Sequence, residues 1–318
     1  MPQPTFAGLP ARSLDELAGV RLAVLGIAEA SPYRIGEQSH SAQAPGALRA
    51  ASALFATQIG QLDYDLGTPF LQQDRDRPVL VDAGDLATDP GTPEANRAAI
   101  TAAVRTILDA GAVPVVLGGD DSVPIPVFAA YEGREPLCIV QVDAHVDWGD
   151  VIKGNPFGYG STMRRAAELP WITGMVQVGI RGLGSGTADQ IEDAKAWGSR
   201  IVTDSELRRH GMAAVVDTIP EGADCLVTID CDGLDPAVMP AVNMPTPGGP
   251  DYGDVLELLQ GVARRGRIAG RGRGGGIGGE SHGVRWVRAL GDPTTRARPP
   301  WMGASPDGPG RLCLSRIG

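Results

Sequence analysis

The sequence predicts an α/β fold in which a mostly parallel sheet is covered by helices on both faces. Short apolar runs rich in β-branched residues predict strands at 20–28, 78–82, 113–117, 137–142, 175–180 and 224–229. Amphipathic patterns predict helices at 93–110 and 252–262. Strands that alternate with helices are typical of a parallel sheet that is buried on both sides.

The two predicted helices each present one apolar stripe. The first begins with Pro93, a residue that favours the first helical turn. Its stripe contains Ile100, Ala103, Val104, Ile107 and Leu108. The second helix has a stripe of Val255, Leu258, Leu259 and Val262. Residues 267–270 then resemble the opening of a further strand.

Composition excludes several functional classes. The chain has 318 residues of which 42% are hydrophobic, enough for one large core, and no run approaches the roughly 20 apolar residues of a membrane span. The first eleven residues lack the features of a signal peptide, so we expect a cytoplasmic protein.

The net charge of −10 argues against nucleic acid as a partner and suits a small cationic substrate. Four cysteines without a C-x-x-C pair indicate free thiols, buried at Cys138 and Cys225.

Three acidic clusters follow directly on predicted strands, at residues 118–122, 143–147 and 230–235. The carboxyl ends of parallel strands meet at one rim of the sheet, so we expect these side chains to converge there. Clustered carboxylates repel one another unless cations neutralise them. Oxygen ligands with one imidazole suit Mn(II) or another hard-to-borderline divalent ion. A single D-x-D is often only a turn, and Asp120 and Asp235 are the members expected to cap turns.

These motifs resemble those of the ureohydrolase family, which includes arginases and agmatinases. The resemblance covers residues 20–270 and includes GGDDS at 118–122, DAHVD at 143–147, the T-x-D-x-D segment at 228–240, APGALR at 44–49 and DAGD at 82–85. It implies a three-layer α/β/α sandwich around an eight-stranded parallel sheet, assembled as a homotrimer or homohexamer. It also implies two metal ions bridged by a hydroxide that attacks a guanidinium carbon and releases urea.

The resemblance also implies metal ligands. Asp143 and Asp230 resemble bridging ligands, Asp147 a ligand of the first metal, and His145 and Asp232 ligands of the second. Asp121 stands where the family has a histidine ligand of the first metal, and it can ligate through oxygen. We expect two Mn(II) ions, with nickel or another divalent ion as the alternative.

Residues 155–165 resemble the family's substrate loop. Tyr159 stands near the place of an active-site histidine that assists proton transfer to the leaving amine. A tyrosine hydroxyl can donate a hydrogen bond there, but its pKa near 10 makes it a poor proton shuttle at pH 7. Tyr159 is therefore the candidate catalytic residue, and a loop aromatic packed on its neighbours is the alternative.

The sequence changes character after residue 270, so we divide it into a metallohydrolase domain at 1–270 and an aberrant tail at 271–318. The tail contains 12 glycines, eight arginines, five prolines and three acids. Where the family continues a strand towards a glutamate that binds the substrate guanidinium, this chain reads RGRGGGIGGE. Such a composition is typical of GC-rich DNA read in a wrong frame. We predict a frameshift, with a genuine basic, disordered tail as the alternative.

The predicted function is hydrolysis of a linear guanidino compound, agmatine-like by resemblance, to urea and an amine. Arginase, guanidinobutyrase and formimidoylglutamase activities remain alternatives within the class. The rival from another class is a non-catalytic or impaired homologue that serves as a subunit of an oligomer. The absent histidine ligand and the lost glutamate favour the rival, whereas the five retained ligand positions favour the enzyme.

Overall fold

The computed structural model describes residues 4–71, 79–184 and 186–269. The predicted tail at 271–318 lies outside this part of the chain. Eight of its strands pair in parallel, in a three-stranded sheet of order β4-β1-β5 and a five-stranded sheet of order β10-β9-β6-β7-β8, and a separate antiparallel ribbon joins β2 to β3. The strands are β1 Leu22–Ile27, β2 Leu62–Asp63, β3 Thr68–Pro69, β4 Leu80–Leu86, β5 Val113–Gly118, β6 Leu137–Val142, β7 Ile172–Ile180, β8 Ser199–Thr203, β9 Asp224–Ile229 and β10 Arg267–Ile268.

Helices cover both faces of the five-stranded sheet. The α-helices are α1 Ala44–Ser52, α2 Pro93–Asp109, α3 Pro124–Ala129, α4 Thr162–Ala167, α5 Ala188–Trp197, α6 Asp204–Val216 and α7 Tyr252–Arg265. Consecutive strand residues point to opposite faces, and Ile139 of β6 joins the core under α2 while Val140 joins the core under α7. The predicted three-layer α/β/α arrangement is therefore confirmed.

Two predicted strands differ from those observed. The strand expected at 78–82 runs from Leu80 to Leu86, because it continues through the DAGD segment with a shift of register against β1. The strand expected at 267–270 is observed at Arg267–Ile268, and the Ala269 amide still donates to the Cys225 carbonyl of β9 at 2.7 Å. Within the described ranges the eight parallel strands form two sheets, where the resemblance implied one.

A buried ion pair joins α1 to β4. The Arg49 guanidinium donates from Nε to Asp82 Oδ2 at 2.7 Å and from Nη2 to Asp82 Oδ1 at 2.9 Å, and it also reaches the Gly84 carbonyl at 2.9 Å. Both side chains are almost fully buried. Removing one partner of such a pair costs about 3–5 kcal/mol because a charge is left buried alone. The APGALR and DAGD motifs therefore stabilise the fold.

Cys138 and Cys225 are register partners on β6 and β9, and both are buried free thiols, as predicted. Among the described residues, no helix combines the length and apolar character that a membrane crossing requires.

Candidate metal centre

The register of the five-stranded sheet brings two aspartates together. Val142 and Ile229 are direct partners at the ends of β6 and β9, and Asp143 and Asp230 are the next residues of each strand. The Asp230 amide donates to the Val142 carbonyl at 2.8 Å, which continues the pairing one step beyond the ladder. The two carboxylates therefore leave the sheet side by side.

Two groups of potential ligands share one residue. Asp143, His145 and Asp232 form the first group, and Asp121, Asp143 and Asp230 form the second. Within each group the ligand atoms all lie within 4.8 Å of one another. The His145 imidazole Nδ1 lies 3.5 Å from Asp143 Oδ1 and 3.4 Å from Asp232 Oδ2. Asp143 is the only one of these residues that belongs to both groups.

Asp143 and Asp230 each form a local hydrogen bond to the residue two positions later, which is also a potential ligand. Asp143 Oδ1 accepts a hydrogen bond from the His145 amide at 2.7 Å, and Asp230 Oδ1 accepts one from the Asp232 amide at 3.0 Å. Each leading aspartate thus caps the turn that aims the second side chain at the cluster. Gly233 is required beside them, because a Cβ there would lie 2.6 Å from the Asp143 backbone.

The GGDDS turn carries Asp121 to the same place. A Cβ on Gly119 would overlap the Ala28 carbonyl oxygen at 1.4 Å, so only glycine fits. Asp120 is fully buried and accepts from the Ser122 amide at 3.0 Å, in line with the expectation that it supports the turn. Ser122 Oγ in turn accepts from the Ser31 amide at 2.7 Å.

Asp147 belongs to neither group of three, although it interacts with Asp121 and Asp143. Gln141 Nε2 connects it to the centre, donating to Asp143 Oδ2 at 2.7 Å and to Asp147 Oδ2 at 3.4 Å. Gln141 is held by Gln177, which donates to its Oε1 at 2.6 Å. Sequence reasoning missed both glutamines, because alternate polar residues inside an apolar strand give no sign of which carboxylate they will meet.

Comparison with known proteins agrees with this geometry. Residues 21–271 match the arginase family. The chain belongs to the arginase family. It is 31% identical over 223 residues to an agmatinase of Bacillus subtilis, which covers 69% of this chain and 73% of that protein. The structure of proclavaminate amidinohydrolase from Streptomyces clavuligerus superposes with a TM-score of 0.72 and 25% identity over 91% of this chain and 89% of that one. An arginase from Medicago truncatula shares the fold, with a TM-score of 0.65 and 24% identity over 90% and 81% of the two chains. These matches support a hydrolase.

Burial and repulsion between carboxylates shift the pKa values of this arginase-family site. Burial, followed by the negative charge of Asp232, raises the pKa of Asp143 to about 7. Burial and the charges of Asp143 and Asp121 raise the pKa of Asp147 well above its usual range. Burial opposes the charged form of His145, but its hydrogen bonds to Asp143 and Asp232 outweigh it and raise its pKa to about 10. In the absence of other cations, bound protons therefore reduce the repulsion between these carboxylates.

The residues fit a divalent cation. His145 Nε2 and Asp232 Oδ1 are buried, and within the described part of the chain neither has a hydrogen-bond partner. A buried imidazole nitrogen or carboxylate oxygen left without a partner is costly unless something binds it. Carboxylate oxygens with one imidazole form a donor set that Mn(II) accepts.

Because of these pKa values, the metal-free protein should lose stability as the pH rises from 6 to 8.5. The folded-state pKa values of Asp143 and His145 lie above their unfolded values, so both groups in their protonated forms stabilise the fold at low pH. This stabilisation is lost as the pH rises through about 7 for Asp143 and towards 10 for His145. We expect a loss on the order of 2–4 kcal/mol, measured as a falling Tm in EDTA. With Mn(II) present the trend should reverse, since ligands must lose their protons to bind. A Tm in EDTA that rises over this range would contradict the assigned pKa directions.

Tyr159 begins a short 3-10 turn, Tyr159–Ser161, beside the cluster. Its ring lies 4.1 Å from the Tyr33 ring and 5.7 Å from the His40 ring, measured between centroids. Tyr33 also accepts a hydrogen bond from the Gly160 amide at 3.0 Å. Burial and the charge of Asp120 raise the pKa of Tyr159 to about 12. The ring therefore packs on its neighbours, and its catalytic role stays a prediction.

Proposed function

We propose that this fold is a binuclear-metal hydrolase of a linear guanidino compound, agmatine-like, that releases urea and an amine. The observation that carries the proposal is the membership of Asp143 in both groups of potential ligands. A carboxylate shared between two sites is the ligand that a pair of closely spaced ions requires.

The proposed ligands combine the two groups with Asp147, and the roles of Asp147 and Asp230 rest on the resemblance to the family's motifs. Asp143 and Asp230 would bridge the ions, Asp121 and Asp147 would complete the first position, and His145 and Asp232 would complete the second. Mn(II) is the ion we propose. When bound, two dications would supply the Lewis acidity that makes water a nucleophile near neutral pH.

The chain's own residues would bind and orient the substrate. Residues 1–270 carry a net charge of −15, since the tail accounts for +5 of the total of −10, and the buried carboxylates converge at one rim. A guanidinium cation is attracted to such a rim. Tyr159 would retain its proton at neutral pH and donate a hydrogen bond towards the leaving nitrogen, because its pKa of about 12 prevents it from acting as a shuttle.

The experiment is a substrate panel assayed in Mn(II) for urea or amine release. Agmatine should be the preferred substrate over arginine, 4-guanidinobutyrate and formimidoylglutamate, because several of the similar proteins are agmatinases. Turnover of none of the four, by a protein that binds two metal ions, would favour the second candidate function, a non-catalytic subunit. The aspartate at position 121, where the family has histidine, is the observation that favours that candidate.

Replacing Asp121 with histidine should tighten Mn(II) binding at the first position by about tenfold at pH 7, equivalent to about 1.4 kcal/mol. Asp121 raises the pKa of Asp147 and so makes protons compete with the metal. An imidazole would relieve that competition and keep a ligand in place. Asp121→Asn is the matched control, since it relieves the charge without offering an imidazole and should weaken binding. If neither Asp121→His nor Asp121→Asn changed the Mn(II) affinity, residue 121 would not be a ligand.

We further propose a cytoplasmic homotrimer or homohexamer. Light scattering of the purified chain would give the mass of the assembly, and a monomer would contradict the oligomeric part of this proposal.

A further inference from the structure

A pocket of about 480 Å³ lies on the surface between α2 and α4, away from the carboxylate cluster. Its lining combines three guanidinium groups, from Arg97, Arg105 and Arg165, with one carboxylate, from Glu168. Most of the remaining wall is apolar and includes Ile125 of α3. The lining residues by themselves carry three positive charges and one negative charge, on a chain whose net charge is −10.

The three guanidinium groups differ in their partners. Arg105 is paired with Glu132 at 2.6 Å, and Arg165 is paired with Asp150 at 2.5 Å and with Glu168 at 2.9 Å. Within the described residues, Arg97 has no carboxylate at ion-pair distance. Its Nη1 donates to the Ser31 hydroxyl at 2.7 Å.

Two features make this charge available to a ligand. The Arg97 guanidinium carbon lies 4.1 Å from the centroid of the Phe157 ring, a cation–π contact that holds the group at the pocket wall without neutralising its charge. Arg165 Nε is buried, and in the part of the chain that the structure describes it has no hydrogen-bond partner. A buried guanidinium nitrogen without an acceptor is costly, so an anion that supplied oxygens here would bind favourably.

We propose that this pocket binds a small organic carboxylate, with the carboxylate on Arg97 and the hydrocarbon chain on the apolar wall. Planar guanidinium groups bind carboxylates through paired hydrogen bonds. The volume is within the range of small-molecule sites, and an apolar wall favours a ligand with an apolar body over an inorganic anion. Arg97 also connects, through Ser31 and Ser122, to the turn that carries Asp121.

The test is calorimetric titration of the full chain, stripped of metal with EDTA and then dialysed free of EDTA, with butyrate, butyramide and inorganic phosphate. Metal is removed because the carboxylate cluster without metal repels anions, so that binding reports on the pocket alone, and EDTA is removed because it is itself a carboxylate. Butyrate should bind saturably. Arg97→Gln should weaken that binding at least tenfold, whereas Arg97→Lys, which keeps the charge and loses the planar fork, should weaken it less.

Arg209→Gln, on the exposed face of α6, is the matched control and should leave butyrate affinity unchanged. The proposal is overturned if butyrate does not saturate, or if butyramide or phosphate binds as tightly as butyrate. Equal butyrate affinity in the wild type and Arg97→Gln would also overturn it. Thermal unfolding of each variant establishes that a loss of binding is not a loss of fold.

Discussion

Replacing Asp143 with asparagine is expected to reduce the number of tightly bound Mn(II) ions per chain from two to none. Asp143 is the only carboxylate in both groups of potential ligands, and it lies between His145 and Asp230. Its loss removes a negative oxygen from both metal positions at once. We expect the affinity for each ion to fall by at least about 100-fold, equivalent to about 2.8 kcal/mol.

The metal-free Asp143→Asn protein should still fold. The change removes a buried carboxylate that burial and Asp232 make costly to ionise. It also weakens the hydrogen bond that Gln141 donates to Asp143 Oδ2 at 2.7 Å, because an amide accepts less strongly than a carboxylate. The first effect stabilises the metal-free fold and the second destabilises it. Asp235→Asn is the matched control, because Asp235 caps a turn in the loop after β9 by accepting from the Ala237 amide at 2.8 Å and belongs to neither group of potential ligands. That control should bind two ions like the wild type, and two ions in Asp143→Asn would show that the shared carboxylate is not needed.

Restoring the reading frame after codon 270 is the second change with a large expected effect. We expect the repaired chain to release urea from agmatine about 100-fold faster than the chain as written. The family resemblance implies a glutamate in the missing segment that binds the substrate guanidinium. A charge-assisted contact of this kind contributes about 1.5–3 kcal/mol, and 2.8 kcal/mol corresponds to 100-fold.

The structure supports this expectation at the division between the two sheets. β10 ends at Ile268 and pairs with Asp224 and Cys225 at the start of β9. Among the described residues, no strand joins the rest of β9 to β5, the edge strand of the other sheet. A cavity lined by residues of both strands, including Val116 and Leu226, lies at this point. A chain truncated after Gly270 is the control, because it removes the tail without restoring a strand and should stay as slow as the original. Equal rates for the original and repaired chains would refute the frameshift hypothesis.

Much of the fold was predictable because its buried elements have strong patterns. β6 and β9 are buried on both faces and were predicted at their observed bounds, and α2 and α7 carry clear apolar stripes. β8 was missed because its five residues include an exposed Arg200 and no continuous apolar run. α5 was also missed, since only Ala194 of its ten residues is buried and its start depends on a capping box at Thr187.

The candidate site was predictable where the ligands follow directly on strands, as Asp143 and Asp230 do. Strand register converts those sequence positions into spatial neighbours, so pattern alone was informative. Tyr33 and His40 were not predictable, because they lie in an irregular loop and meet Tyr159 only through tertiary packing. The pocket beside Arg97 was likewise invisible, since its lining comes from separate helices.

Native mass spectrometry of the Mn(II)-loaded chain tests the two-ion site most directly. We expect two ions per chain in the wild type, with both lost together when EDTA is added or when Asp143 is replaced. A loaded wild-type chain that carried one ion, or none, would contradict it.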